Sequence, residues 1–261
     1  MTRNRPGDGP RPTDCSSRRE AGAVAGPNHA EPPETPAAQR TAQGVQRMFD
    51  RVAPRYDLAN TIFSLGQDKP WRAAAARATH LATGEVAVDV ACGTGALTRE
   101  LQAMAPGALV LGMDFSQEML KRAGPGRYTA GDAVRLPLKD ATVDVVTIAF
   151  GLRNLPEPAQ GLLEFRRVLR PGGRLVVCEF SSPVVPVFRE AYRRYLTRLM
   201  PVAARRLTSD PEAYQYLARS IGAWPDQPGL ARWLQEAGFA EVAWRNLTGG
   251  IVALHRGVAG S

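Results

Sequence analysis

Short apolar runs rich in β-branched residues recur at 86–90, 108–113, 127–130, 143–150 and 174–179, which predicts five strands. Between them the apolar positions take helical spacing, as at 116–122 and 158–170. Such alternation implies a parallel sheet covered by helices on both faces. The C-terminal end breaks it. There 241–247 and 251–255 are two more strand-like runs joined through Thr248-Gly249-Gly250, the pattern of an antiparallel hairpin. The expected fold is therefore α/β, a mostly parallel seven-stranded sheet with an antiparallel C-terminal strand. Pro171-Gly172-Gly173 reads as a turn between a helix and a strand.

Upstream of the sheet, 45–51 predicts a short amphipathic helix, and the alanines and arginines of 73–81 predict another. A helical insert is expected at 183–227. Its first part, 187–206, sets Arg189, Arg193, Arg194, Arg198, Arg205 and Arg206 against one acid, Glu190. Phe188, Tyr192, Tyr195, Leu196, Leu199 and Met200 are interleaved at helical spacing. Two readings stay open: a helix packing its apolar face on the core, or one at a membrane interface or lidding an apolar substrate. Residues 1–43, rich in Pro, Gly, Ser, Ala and Arg, read as a disordered tail ahead of one domain at 44–258.

Of the 261 residues, 44% are hydrophobic and 22% charged, which excludes disorder throughout. No apolar run approaches the ~18 residues of a membrane span, and no apolar signal core follows the N-terminal arginines. A cytoplasmic location is expected. Cys15, Cys92 and Cys178 form neither a disulfide framework nor, with His29, His80 and His255, a metal-ligand spacing, so no metal is expected. Thirty-three basic against twenty-five acidic residues give +8, and the first 41 residues nearly balance, six Arg against five acids. The excess charge belongs to the folded part and suggests a membrane surface, a nucleic acid or a phosphorylated ligand.

Asp89-Val90-Ala91-Cys92-Gly93-Thr94-Gly95 follows the first core strand and precedes a helix, so its glycines sit where backbone must approach a ligand closely. Asp114, 21 residues after Gly93 and at the end of the next strand, is placed to accept from ribose hydroxyls. A dinucleotide fingerprint would need glycine at position 98, where this chain has Thr98. An acidic Asp89 would repel a pyrophosphate but suits the cationic methionine end of S-adenosylmethionine. Asp132 and Ala133, after the third strand, are placed to meet adenine; a lone loop Asp is also a common turn cap. Cofactor contacts are thus expected at Asp89, Gly93, Thr94, Gly95, Asp114, Asp132 and Ala133, within a class I methyltransferase architecture.

The acceptor is expected beyond the fourth strand, at Phe150-Gly151-Leu152-Arg153-Asn154. The Asn/Asp-Pro-Pro-aromatic and Pro-Cys devices of nucleic-acid methyltransferases are absent from the sequence, and no recognition motif accompanies the arginines, so no nucleic-acid partner is expected. Over about 45–257 the chain resembles the ubiquinone/menaquinone biosynthesis C-methyltransferase family. Tyr56-Asp57-Leu58-Ala59-Asn60 through Trp71 is similar to its first signature, and Arg167-Val168-Leu169-Arg170-Pro171-Gly172-Gly173-Arg174 through Ser181 to its second. Asp68 stands where the first signature has His, Ala59 where Met is common, and Ala149 where some members have Ser.

The resemblance implies C-methylation of a prenylated hydroquinone, a naphthoquinol of menaquinone synthesis with a benzoquinol as alternative. Arg153 would then stabilise the phenolate and Asn154 bind a quinol oxygen, while Tyr56 or Asp57 closes the site and assists proton transfer. A buried ion pair of Arg153 with a carboxylate such as Glu179 is the competing structural reading. Replacing Arg153 with Met is expected to lower turnover with little loss of fold. Trp71 reads as a core anchor or a stacking residue. A prenylated tail would give the basic insert a purpose at an anionic membrane surface, and self-association is the remaining partner expectation.

Overall fold

The computed structural model describes Gly44, Asp50, Ala53, Thr61, residues 64–200, Val202 and residues 211–260. All of these lie in the compact unit Pro32–Ser261. The expected tail at 1–43, most of the expected helix at 45–51, and both Tyr56 and Asp57 lie outside the described residues.

Seven strands form one sheet: β1 Val86–Val90, β2 Leu109–Asp114, β3 Arg127–Ala130, β4 Val143–Ala149, β5 Leu169–Phe180, β6 Phe239–Leu247 and β7 Val252–Ala259. Their order is β3-β2-β1-β4-β5-β7-β6. The pairs from β3 through β5 are parallel, whereas β7 runs antiparallel to both β5 and β6. Strand order reverses between β1 and β4, and ligands of open α/β sheets gather beyond the carboxyl ends of strands at such a switch point.

The described helices are α1 Asp68–Ala78, α2 Ala96–Met104, α3 Gln117–Leu120, α4 Pro158–Val168, α5 Pro186–Arg194, α6 Pro211–Gly222 and α7 Gln227–Glu236. Period-two alternation along the strands divides the core into two layers. Val146, Ile148, Leu175 and Val177 pack with Leu162, Phe165 and Leu234 on one face. Val145, Val176 and Cys178 pack with Trp71, Ala75, Leu97 and Leu101 on the other. Helix starts follow local chemistry: Ser116 accepts from the Met119 N–H to cap α3, and Asp226 accepts from the Gly229 N–H to cap α7.

Two local expectations change. β5 begins directly after α4, and the Pro171-Gly172-Gly173 turn becomes a bulge within it: Val143 pairs with Leu169 but Val145 with Arg174. Gly172, at φ +77, supplies the left-handed residue that the detour needs. The insert is not one continuous α-helix either, because α5 passes into a π-helical turn at Tyr195–Leu199. The wider turn shifts the phase of the apolar stripe. Leu196 and Met200 turn inward, while Leu199 is 64% exposed.

Candidate active site

Beyond β1 the chain makes its sharpest turn. Ala91 takes φ +51, Gly93 +57 and Gly95 +76 before α2 begins. A Cβ at Gly93 would meet nothing within 4 Å, so the loop offers open space at that point. Gly95 has a second requirement that the sequence did not announce: a Cβ there would lie 2.3 Å from the Tyr128 hydroxyl, and the same ring presses on Gly112 and Gly126. Three glycines facing one aromatic was the available signal.

Asp114 secures this loop. Its Oδ2 accepts from the Gly93 N–H at 2.7 Å and its Oδ1 from the Ser116 N–H at 2.8 Å. Burial raises its pKa, aided by the charge of Asp50 and opposed by those N–H donors. Asp50 itself accepts from the Ser116 hydroxyl, which brings an upstream residue to this corner. Asp89 lies beneath the loop, 1% exposed, with Oδ2 accepting from Thr98 Oγ1 at 2.7 Å and Oδ1 from Thr147 Oγ1 at 2.8 Å. Thr98, at the dinucleotide glycine position, therefore holds an acid in place. Burial pushes the Asp89 carboxyl up to about 6, against the lowering effect of the two hydroxyls and of the Arg72 charge. Thr94 is buried in the same turn, with Arg99 donating to its carbonyl at 2.7 Å. The exposed Asp132 accepts from the Val134 N–H at 3.1 Å, capping its own turn, and Ala133 is buried beside it.

On the other side of the switch point Phe150 adopts φ +59, a conformation that costs a bulky residue on the order of 1–3 kcal/mol and marks functional backbone. Gly151 follows because a Cβ there would stand 2.7 Å from the Ala91 Cβ, so the loops after β1 and β4 touch. Next to them opens a cavity of ≈ 330 Å³. Trp71, Phe150 and Phe180 form its aromatic floor, with ring centroids 5.9, 6.4 and 5.2 Å apart. Phe188, Tyr192, Tyr195, Leu196 and Met200 of the insert close it from one side, and Thr248 and Ile251 of the β6–β7 turn from another. The lid reading of the insert thus matches its placement. Trp71 is the expected core anchor: it is 5% exposed, donates from Nε1 to Thr248 Oγ1 at 2.9 Å, and also lines the cavity.

Two guanidinium groups flank the floor. Arg72 lies 5.7 Å over the Phe150 ring and pairs with Asp68 at 2.6 Å. Arg153 lies 5.0 Å over the Phe180 ring, donates to the Phe150 carbonyl at 2.7 Å, and pairs with Glu179 at 2.8 Å. Both Arg153 and Glu179 are buried, and burial raises the Glu179 carboxyl despite the opposing charge of Arg153. The competing ion pair therefore exists, in a residue that also lines the cavity and whose Nε has no hydrogen-bond partner among the described residues. Breaking a buried pair costs about 3–5 kcal/mol, so the expectation that Arg153→Met would spare the fold is corrected. Asn154 is placed elsewhere. Its amide donates to the Phe150 carbonyl at 3.1 Å and accepts from the Tyr216 hydroxyl at 3.2 Å, bracing the loop without lining the cavity. Asp68 and Arg72, which sequence reasoning did not select as site residues, do line it; their i,i+4 spacing on α1 was the available sign.

A switch-point glycine turn, an acid at the end of β2 and an antiparallel β7 together define a class I S-adenosylmethionine-dependent methyltransferase. The solved structure of a SAM-dependent methyltransferase from Thermotoga maritima has this fold, with a TM-score of 0.59 at 19% identity over 82% of this chain and 99% of that one. The model of the ubiE/COQ5 methyltransferase family matches residues 37–259, and the chain belongs to that family. A Corynebacterium kroppenstedtii protein named demethylmenaquinone methyltransferase is 54% identical over 83% of this chain and 95% of its own length. One of the same name from Mycobacterium marinum is 52% identical over 85% and 96%.

Proposed function

We propose that this chain methylates a ring carbon of demethylmenaquinol, the reduced naphthoquinone, to give menaquinol. The observation that carries the reading is the close approach of Gly151 to Ala91, which brings the cosubstrate loop beside the loop after β4, whose Phe150 and Arg153 line an aromatic-floored apolar cavity. S-adenosylmethionine, when bound, supplies an electrophilic methyl group on its sulfonium. The loop fits it: Gly93 leaves room, Asp114 is positioned for ribose hydroxyls, and the acidic Asp89 beneath the turn favours a cationic ligand. Thr94, Gly95, Asp132 and Ala133 complete the proposed contact set.

The acceptor must present an electron-rich carbon, which an ionising hydroquinone hydroxyl provides. Arg153, fixed by the Phe150 carbonyl and Glu179, stands ready to stabilise the developing phenolate in a site lined mostly by apolar side chains. The aromatic floor supports a flat bicyclic ring, and the apolar insert gives a prenyl chain its exit. Methyl transfer from labelled S-adenosylmethionine to chemically reduced demethylmenaquinone, with a benzoquinol precursor and oxidised quinones alongside, tests the reading. Transfer to the reduced naphthoquinone is expected; cosubstrate binding without transfer to either quinol would overturn it.

The same reading assigns the outer face of the insert to an anionic membrane surface. Val184, Val185, Val187 and Leu199 are each about half exposed or more, beside the exposed Arg193, Arg194 and Arg198. Glu190 engages both Arg193 and Arg194 at 2.8 Å, so Arg198 is the least shielded of the three. No described helix is long and apolar enough to cross a membrane. Contact at the interface fits the prenylated acceptor, and flotation with anionic against neutral liposomes measures it.

A further inference from the structure

The reaction releases a proton, and the described wall of the cavity offers one group able to take it. Asp68 is the only carboxylate among the described lining residues and is 6% exposed. It is held at the start of α1 by two partners. Oδ1 accepts from the Ser64 hydroxyl at 3.2 Å and Oδ2 from Arg72 at 2.6 Å, and the Ser64 oxygen in turn accepts from the Asp68 N–H at 3.2 Å. A carboxylate has about four acceptor positions, so capacity for a substrate hydroxyl remains.

The other polar groups facing Asp68 cannot serve. Arg72 on its own helix and Arg153 on the loop after β4 stay protonated. Burial pushes the phenols of Tyr192 and Tyr195 on the insert upward, which keeps them protonated. Thr248 on the β6–β7 turn accepts from Trp71, and Glu179, behind Arg153, is fully buried and not part of the lining.

We propose that Asp68 is the proton acceptor for the quinol hydroxyl, in the same cavity that Arg153 lines. The proposal rests on the quinol-methylation reading. As the ring carbon forms its bond to the methyl group and the methyl–sulfur bond breaks, the hydroxyl proton passes to an Asp68 oxygen. The methylated ring, now a ketone at that oxygen, loses the proton from its tetrahedral carbon and regains one on oxygen, restoring the hydroquinone. One proton in total leaves to solvent.

The test measures methyl transfer to a chemically reduced short-chain demethylmenaquinone across pH for the full chain, Asp68→Asn and Asp68→His. Calorimetric binding of S-adenosylhomocysteine accompanies each. For Asp68→Asn, kcat is expected to fall about 100-fold, the usual contribution of a positioned base, with acceptor KM and S-adenosylhomocysteine affinity within about threefold. Asp68→His is expected to recover at least a tenth of the wild-type rate, with the acid limb of its profile moved to near pH 6.5, the ordinary imidazole value. A wild-type kcat in Asp68→Asn, or an Asp68→His profile superimposable on that of the wild type, overturns the assignment. If the unsubstituted chain methylates no quinol, the quinol reading fails and this proposal with it. Quinol methylation at the wild-type rate in Asp68→Asn removes the proposal alone.

Discussion

The two halves of the site are built by different means. The cosubstrate half is built around backbone: one glycine turn and its left-handed residues, held by the buried Asp89 and the half-buried Asp114, all between Asp89 and Ala133. The acceptor half is made of side chains from segments far apart in the chain, from Ser64 to Ile251, set around an aromatic floor. A contiguous backbone turn tolerates little change, because each φ angle admits few residues. A wall of side chains can be repacked, so substrate choice is the property this half can vary.

The contrast is broken hardest at Arg153, a scaffold residue to which the proposed function also gives a chemical role. Arg153→Met should reduce turnover about 100-fold, the scale of losing a positioned donor to a developing oxyanion. It should also cost about 3–5 kcal/mol by leaving Glu179 buried and unpaired. Glu179 then has a folded pKa well above its unfolded value near 4.3. Such a group stabilises the fold below the unfolded value and loses that contribution as pH rises. The melting-temperature gap to the wild type should therefore be narrower at pH 5 than at pH 8. Arg153→Met/Glu179→Gln should regain stability without turnover. Wild-type turnover in either variant would refute the role given to Arg153.

A smaller effect separates the halves from the cosubstrate side. Asp89 titrates at about 6 in the folded protein, so its charge is present above that pH and lost below it. Affinity for S-adenosylmethionine should fall by up to about tenfold as pH drops from 7.5 to 5, and Asp89→Asn should abolish that dependence. Calorimetry at the two pH values reads it directly. Equal affinities would mean that Asp89 acts only as a brace for Thr98 and Thr147. The smallest effect belongs to the outer face of the insert. Arg198→Gln should weaken partition onto anionic liposomes about fivefold, near the ~1 kcal/mol expected for one arginine at a charged surface. Partition indifferent to this change and to lipid charge would remove the membrane reading and leave the cavity untouched.

The same division explains what the sequence revealed. β1 and β3 lie where the apolar runs placed them, and the glycine turn, Asp89 and Asp114 were legible because one short stretch with fixed spacing encodes them. The acceptor half was legible only in pieces. Arg153 and its pairing with Glu179 could be named, since Arg153 follows β4 and Glu179 lies near the end of the neighbouring β5, and both strands point at one crevice. Asn154 could not be told from a substrate ligand, because its tie to Tyr216 crosses 62 residues. Asp68 showed only as a departure from a signature; the cavity that gives it meaning also needs side chains from five other segments, between Phe150 and Ile251. The π-helical turn has no spacing signature, so helical spacing alone did not separate the exposed Leu199 from the inward Leu196 and Met200.

The placement of β7 also governs how the molecule comes into being. It lies between β5 and β6 although it is the last strand to be synthesised. Until it inserts, the apolar β5 presents an open edge to any strand that will pair with it. The turn that brings Thr248 and Ile251 to the cavity is likewise missing, whereas the loop from Asp89 to Gly95 and its clasp at Asp114 already have all their parts. A chain still being made passes through a stage in which every part of the cosubstrate loop is present before the acceptor wall is complete, and at that stage the β5 edge is the place most open to mispairing.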